Sequence, residues 1–303
     1  MADWEGIELH FDWPSYSRLY WATPIPAATT ECISVEATPT TSITSTQPNL
    51  PNFQILPSRP VHETSWGLYE ILAYDTPMGW EEVFKKTQDE GGFTVPAERL
   101  RRDIAERQRI VPNLSDLFGI FHRIRPEQVR VVILLQDPYP QLIMNDIPRA
   151  TGAALECRRG DQVAMSLKNI YKKIAEEIPD FIIPEHGDLS MWISQGVMML
   201  NDCLSCIADN SGSHGKIWIT FIVNVLEHIA SLRASTPGKR LIVVPFGNAA
   251  KGTIQSIKGK IEVIEGAHPS GFSYARFKQN NYFRPINQFL QKMGDPEINW
   301  QIL

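Results

Sequence analysis

Short apolar runs alternate with amphipathic segments from about residue 76 to the end of the chain. Four runs are typical of buried strands: 129–135 VRVVILL, 197–200 VMML, 240–246 RLIVVPF and 261–264 IEVI. Between them, apolar residues recur at spacings of three and four, as in 166–178 SLKNIYKKIAEEI and 217–229. This alternation predicts an α/β fold with a central, mostly parallel four-stranded sheet flanked by helices.

The first 75 residues have a different texture from the rest. Residues 1–21 are acidic and rich in aromatic residues, and residues 24–60 are rich in Thr, Ser and Pro. This composition predicts a largely disordered extension over residues 1–75, followed by one catalytic domain over 76–303. The extension holds nine acidic and two basic residues, so it carries −7 and the rest of the chain +2 of the net charge of −5. The remaining chain is nearly neutral and can present a basic face to phosphate.

The lack of a recognisable targeting signal and the cysteine usage both favour an intracellular protein, in the nucleus or the cytoplasm. The N-terminus has no basic or apolar block, and no apolar run approaches the roughly 20 residues of a membrane helix. Four cysteines in 303 residues do not suggest a disulfide framework. Cys203 and Cys206 have the spacing of a metal or redox pair, and two ordinary buried thiols are the alternative.

Polar residues follow three of the predicted strands. Gln136 and Asp137 come after the first, Asn201 directly follows the second, and His268 follows the fourth within GAHPSGFS. Ligands of open α/β sheets bind beyond the carboxyl ends of the strands, so these side chains are expected in one crevice. A carboxylate, an amide and an imidazole form a working set of catalytic groups.

The motifs along the chain resemble those of one enzyme family. They are LQDPYP (135–140), GAALEC (152–157), SLKNIYKKI (166–174), a long W..QGV stretch ending in MMLN (198–201), HPSGFS (268–273) and GDPEINW (294–300). In this order, over about residues 78–303, they resemble the uracil-DNA glycosylases of family 1, which remove uracil from DNA. Some features, among them DPYP and the SH…W spacing of 213–218, resemble those of the poxviral members of the family.

The chain also departs from the family pattern. Leu135 and Pro140 stand where most members have Gly and His around QDPY. Leu155 stands where the family has a uracil-stacking Phe, and Phe272 where it has Leu. The loop after Pro140 is longer than usual. These departures mark a divergent member and leave its catalytic rate open.

The resemblance assigns the catalytic step to Asp137 and His268. A carboxylate below the sugar stabilises the developing sugar cation and orients the attacking water. A neutral imidazole donates a hydrogen bond to uracil O2 as the base leaves as an anion. From the residues alone, Asp137 is equally an Asp-Pro turn or a helix cap, and His268 an ordinary loop histidine.

Uracil recognition is assigned by the same resemblance to Gln136, Tyr139, Leu155 and Asn201. Asn201 pairs with the N3–H donor and O4 acceptor of uracil, a pattern that cytosine reverses. Tyr139 faces C5 and excludes the thymine methyl, Gln136 contributes its backbone amide, and Leu155 forms an apolar wall. The alternative for Asn201 is a turn residue at a strand end.

DNA contacts are assigned to Ser166, Pro269, Ser270 and Phe272. The two serines grip phosphates around the flipped nucleotide, although Ser166 also stands where a helix N-cap belongs. Phe272 is placed as the apolar wedge that fills the gap left by the flipped base, and an exposed loop aromatic is its alternative.

Three functions follow from these residues. The first is a uracil-DNA glycosylase that needs no metal or cofactor and acts on single- or double-stranded DNA. The second is a glycosylase fold kept as a DNA-binding replication scaffold, and the third is a glycosylase for another damaged base. The aromatic residues of 1–60 predict docking to a replication or repair protein, with packing on the protein's own body as the alternative. The stretch 47–53 QPNLPNF is also similar to a sliding-clamp box.

Overall fold

The protein is described here from a computed structural model, which covers residues 68, 72, 75–158 and 160–302. The predictions for residues 1–60 and for nearly all of the 1–75 extension lie outside the described residues. Leu68 and Leu72 are buried within the main hydrophobic core. The domain boundary at residue 76 stays a prediction.

The strands of the described residues form three sheets. They are β1 (Ile110–Val111), β2 (Val131–Leu135), β3 (Leu142–Ile143), β4 (Ile147–Pro148), β5 (Val197–Asn201), β6 (Cys206–Ile207), β7 (Leu241–Pro245) and β8 (Ile261–Val263). The central sheet has the order β5-β2-β7-β8, and all its pairs are parallel. The antiparallel pairs β1-β6 and β3-β4 lie outside it. The predicted four-stranded sheet is confirmed, and each predicted strand overlaps an observed one.

Burial explains why the central strands read as continuous apolar runs. Every residue of β2, β5 and β7 is buried, as expected for a parallel sheet covered on both faces. The fourth strand, β8, is only partly buried, which fits its position at the edge of the sheet.

The helices of the described residues pack around this sheet. They are α1 (Glu81–Asp89), α2 (Thr94–Ala105), α3 (Gly119–Arg123), α4 (Met165–Glu177), α5 (Ser190–Ser194), α6 (Ile219–Ala234), α7 (Asn248–Ile254), α8 (Tyr274–Phe277) and α9 (Phe283–Lys292). Helices α3 and α5 contact β5, and α6 and α7 contact β7. No helix of the described residues is both long enough and apolar enough to cross a membrane.

Both predicted amphipathic helices form. Helix α6 buries Phe221, Ile222, Val225, Leu226 and Ile229, the residues that the three-and-four spacing placed on one face. Its Phe221 ring packs against the rings of Phe84 and Phe121 with centroids 5.0 and 5.2 Å apart, which ties α6 to α1 and α3. Aromatic pairs of this kind contribute about 0.5–1.5 kcal/mol beyond their buried area.

The long loop after Pro140 contains a short hairpin. Strands β3 and β4 pair Leu142 with Pro148, and the turn between them places Asn145 and Asp146 at positive φ. Asparagine and aspartate tolerate this left-handed region better than most residues. The guanidinium of Arg109 donates to the Asp146 carbonyl at 3.4 Å and connects the hairpin to the body of the domain.

Candidate active site

One cavity opens at the carboxyl edge of the central sheet. Its volume is about 550 Å³. The register pairs Leu135 with Asn201, so β2 and β5 end side by side. The lining includes eight of the ten residues predicted for the site: Gln136, Asp137, Tyr139, Leu155, Ser166, Asn201, His268 and Ser270. The crevice expected from the strand ends is therefore present in the fold.

Asp137 lies two residues after β2 and is held by a neighbouring loop. The Ser211 hydroxyl donates to its Oδ2 at 2.8 Å, and the Gly212 backbone N–H donates to the same oxygen. Two donors to one oxygen fix the orientation of the carboxylate. Both of these bonds go to Oδ2 and neither goes to Oδ1. Sequence reasoning did not single out Ser211 or Gly212, because they are more than 70 residues from Asp137 along the chain.

A buried polar network anchors the loop that holds Asp137. Ser205 Oγ lies 2.7 Å from His214 Nδ1, and His214 Nε2 lies 2.9 Å from Asp103 Oδ2. The Trp218 indole N–H donates to Ser205 Oγ at 2.9 Å. Burial lowers the pKa of His214, and the Arg99 charge lowers it further, so the ring is neutral near pH 7. Its Nε2–H then donates to Asp103, and Nδ1 accepts from Ser205.

The geometry around His268 defines its tautomer. Its Nδ1 accepts from the Ser270 backbone N–H at 3.3 Å and lies 2.8 Å from Ser270 Oγ. A backbone N–H only donates, so the neutral ring carries its proton on Nε2. Burial lowers the pKa of His268, and the Asp137 carboxylate opposes that shift. His268 therefore contributes a neutral N–H donor to the cavity lining.

Two residues that sequence reasoning did not assign hold the His268 loop in place. Asn169 on α4 donates through Nδ2 to the Pro269 carbonyl at 2.7 Å and is itself buried. Gly247, at φ 92°, donates its backbone N–H to the Gly266 carbonyl at 3.0 Å, two residues before His268. Asn169 lies within the SLKNIYKKI motif, and membership of that motif is the sequence feature that could have pointed to it. Pro269 is thus buried and bonded within the fold.

Asn201 is the last residue of β5, is buried and lines the cavity. The chain turns immediately after it: Asp202 N–H donates to the Leu135 carbonyl at 2.7 Å, and Cys203 N–H donates to the Gln136 carbonyl at 2.9 Å. These backbone bonds fix the ends of β2 and β5 to each other. Asn201 and the exposed Gln136 line the same cavity.

Ser166 does not cap its helix, and that expectation is wrong. Helix α4 begins at Met165 with Ala164 at the N-cap, so Ser166 lies inside the first turn. Its hydroxyl instead lies 2.9 Å from the Tyr139 hydroxyl. Burial raises the pKa of Tyr139, so the phenol stays protonated and can donate in this pair. The bond fixes the ring of Tyr139 in the cavity.

Leu155 occupies the cavity wall in an unusual backbone conformation. It has φ 63°, a region that costs a bulky residue free energy, and it is 6% exposed. Strain of this kind is found where a side chain must be held in one place. Phe272 lies in the 3₁₀ turn Gly271–Ser273 directly after Ser270. The position of its side chain lies outside the description, so the wedge stays a prediction.

The CLSC pair consists of buried thiols. Cys203 Sγ lies 3.2 Å from the Ser205 carbonyl, and both Cys203 and Cys206 are buried. Burial raises the pKa of each to about 12, so both are protonated thiols near pH 7. Cys32, which a four-cysteine cluster would also have to include, lies outside the described residues.

Comparison with known proteins gives consistent matches. Residues 121–291 match the family model of the uracil DNA glycosylase superfamily. The uracil-DNA glycosylase of Deinococcus deserti is 31% identical over 240 residues, which cover 77% of this chain and 91% of that protein. That of Varicella-zoster virus is 32% identical over 197 residues, 65% of this chain and 61% of that protein. The crystal structure of mimivirus uracil-DNA glycosylase superposes with a TM-score of 0.72 at 26% identity, covering 82% and 98% of the two chains.

Proposed function

Because the chain belongs to the uracil-DNA glycosylase superfamily, we propose that it hydrolyses the N-glycosidic bond of uracil in DNA. The observation that carries the proposal is the meeting of Asp137, Asn201 and His268 in one cavity at the carboxyl edge of the sheet. A DNA-binding scaffold needs none of these three side chains.

Asp137 and His268 act on opposite charges of the same transition state. As the bond from the sugar to uracil breaks, positive charge develops on the sugar and negative charge on the base. The Asp137 carboxylate stabilises the cation and orients the water that adds to the sugar carbon. The Nε2–H of neutral His268 stabilises the uracil anion through O2. The acceptor role of Nδ1 towards Ser270 supports this assignment.

Asn201 and Tyr139 select uracil in this proposal. The Asn201 carboxamide pairs with N3–H and O4, and cytosine would leave both buried groups unpaired. The Tyr139 ring, fixed by its hydroxyl bond to Ser166, occupies the space that a C5 methyl needs. Leu155 supplies an apolar wall without aromatic stacking, which weakens the hold on the base relative to a phenylalanine.

Access to the cavity requires the nucleotide to leave the helix. Flipping a base costs a few kcal/mol in lost stacking and pairing. Ser166, Ser270 and the backbone around Pro269 hold the flipped nucleotide through its phosphates, and Phe272 fills the vacated space. Ser270 thus contributes twice, because it also bonds His268.

The decisive experiment is single-turnover release of uracil from a short oligonucleotide, detected by alkaline cleavage of the strand. Asp137→Asn and His268→Leu should each lower excision by at least roughly a hundredfold, the scale of a positioned acid–base or electrostatic group. Binding of DNA that contains an uncleavable abasic analogue should largely survive both changes.

Matched controls exist elsewhere in the chain. Asp89→Asn removes an exposed carboxylate that pairs with Lys85, and His228→Leu removes a histidine on α6. Both should excise uracil at the wild-type rate. An inactive wild-type protein that still binds DNA would favour the scaffold, and excision of another base but not uracil would favour the third function.

A further inference from the structure

The hairpin after Pro140 brings a cation to the cavity. The Arg149 backbone N–H, directly after β4, donates to the Gln141 carbonyl at 3.1 Å, which places both residues at the open end of the hairpin. Both residues line the cavity. Among the described lining residues, Arg149 is the only arginine or lysine. None of the family motifs in the sequence includes Arg149, because the hairpin belongs to the lengthened loop.

An acidic partner holds the Arg149 side chain. Its Nε lies 2.9 Å from Asp161 Oδ2, and its Nη2 donates to Asp161 Oδ1 at 3.3 Å. Asp161 lies in the segment that leads into α4, and thus to Ser166. Arginine carries five N–H donors, so a pair with one carboxylate leaves donors for a second anion.

The surroundings of Arg149 match an anionic ligand. Burial raises the pKa of Tyr139. The nearby Arg149 charge and the hydrogen bond from Ser166 both oppose that rise, so the guanidinium lies close to Tyr139. Ser166 therefore adds a hydroxyl beside the same cavity wall. Without Arg149, the cavity would meet polyanionic DNA with the Asp137 carboxylate and neutral groups. A cation at this wall offsets that repulsion.

We propose that Arg149 binds the DNA phosphodiester next to the nucleotide whose base enters the cavity, with Asp161 holding the guanidinium in position. This inference rests on the proposed function, since it takes a flipped nucleotide as the ligand. It assigns the lengthened loop a role in substrate binding: the hairpin supplies a charged phosphate contact.

The test is the salt dependence of binding to duplex DNA that carries a tetrahydrofuran nucleotide, which has neither a base nor a glycosidic bond. Each phosphate contact contributes about 0.9 to the slope of log affinity against log salt. Arg149→Gln should lower the slope by about that amount and weaken binding several-fold at low salt. Arg149→Lys should keep the slope.

Arg158→Gln is the matched control. Arg158 forms the same kind of ion pair, at 2.8 Å with Asp116, but does not line the cavity. Its loss should leave the slope unchanged. A slope that is the same for wild type and Arg149→Gln, or that falls equally in Arg158→Gln, would overturn the proposal.

Asp161→Asn keeps the test decisive if Arg149→Gln does not fold. Because Asp161 holds the guanidinium in position, its loss should weaken binding to the same DNA relative to Asp116→Asn, which removes the same charge from the Arg158 pair. Equal or tighter binding by a folded Asp161→Asn protein would overturn the proposal. The readout needs no cleavage, so it is separate from the proposed function. A protein that fails to excise uracil but shows the Arg149 slope change would contradict the glycosylase proposal and support the phosphate contact.

Discussion

The bond between Asn169 and the Pro269 carbonyl offers a sharp test of how the fold positions His268. Asn169→Ala removes a buried donor at 2.7 Å and leaves the Pro269 carbonyl without that partner. An unsatisfied buried polar group costs about 1–3 kcal/mol, so the free energy of unfolding should fall by that amount in a urea titration. The substitution leaves Asp137, Asn201 and His268 themselves unchanged.

The same substitution should reduce catalysis beyond its effect on stability. His268 is the residue before Pro269, and small displacements of a catalytic group cost up to about a hundredfold in rate. We therefore expect a fall in the single-turnover rate of uracil release of roughly tenfold to a hundredfold, with little change in the affinity for abasic-analogue DNA. The single-turnover rates of the wild type and of the variant are measured at a temperature where the variant is fully folded.

Asn224→Ala is the control for this prediction. Asn224 is a buried asparagine on α6 that donates to Glu90 at 2.7 Å and to Thr87 at 3.1 Å, and it does not line the cavity. It should lose comparable stability and keep the wild-type rate of excision. Equal rates for Asn169→Ala and wild type, or an equal loss of rate in the two alanine variants, would refute the positioning argument.

Three further predictions concern other parts of the protein. Burial lowers the pKa of His214, so the unfolded chain binds a proton near pH 6.5 that the folded protein does not. The free energy of unfolding should therefore fall as the pH drops below about 6.5, and urea titrations at two pH values should show a smaller fall in His214→Gln. Leu155→Phe should raise kcat/KM for uracil excision if stacking, on the order of 1–3 kcal/mol per base, is the deficit. Lower activity at unchanged Tm would show instead a cavity shaped around leucine. Deletion of residues 1–60 should leave excision from short oligonucleotides within a few-fold of intact protein and abolish pull-down of a replication or repair protein; lost excision would place the segment in the catalytic body.

Local pattern was sufficient to predict the architecture of this domain. Three of the four central strands are runs of five buried residues, and a parallel sheet covered on both faces requires such continuous apolar runs in the sequence. Helix α6 was predicted for the same reason, since its buried face repeats every three or four residues. Because strand ends in such a sheet share one edge, Asp137, Asn201 and His268 could be placed together before any tertiary contact was known.

The tertiary structure alone decided how each of these side chains is held. Ser166 has the residue type of a helix cap, yet it pairs with Tyr139, 27 residues away, because α4 begins at Met165, two residues before the start that a cap at Ser166 requires. Asn169 bonds a carbonyl 100 residues away, and Ser211 reaches a carboxylate 74 residues away. Hydrogen bonds between distant segments depend on the packing of whole elements, and no periodicity in the sequence records them. The sequence determined which groups reach the cavity edge, and long-range packing determined their orientation, protonation and partners.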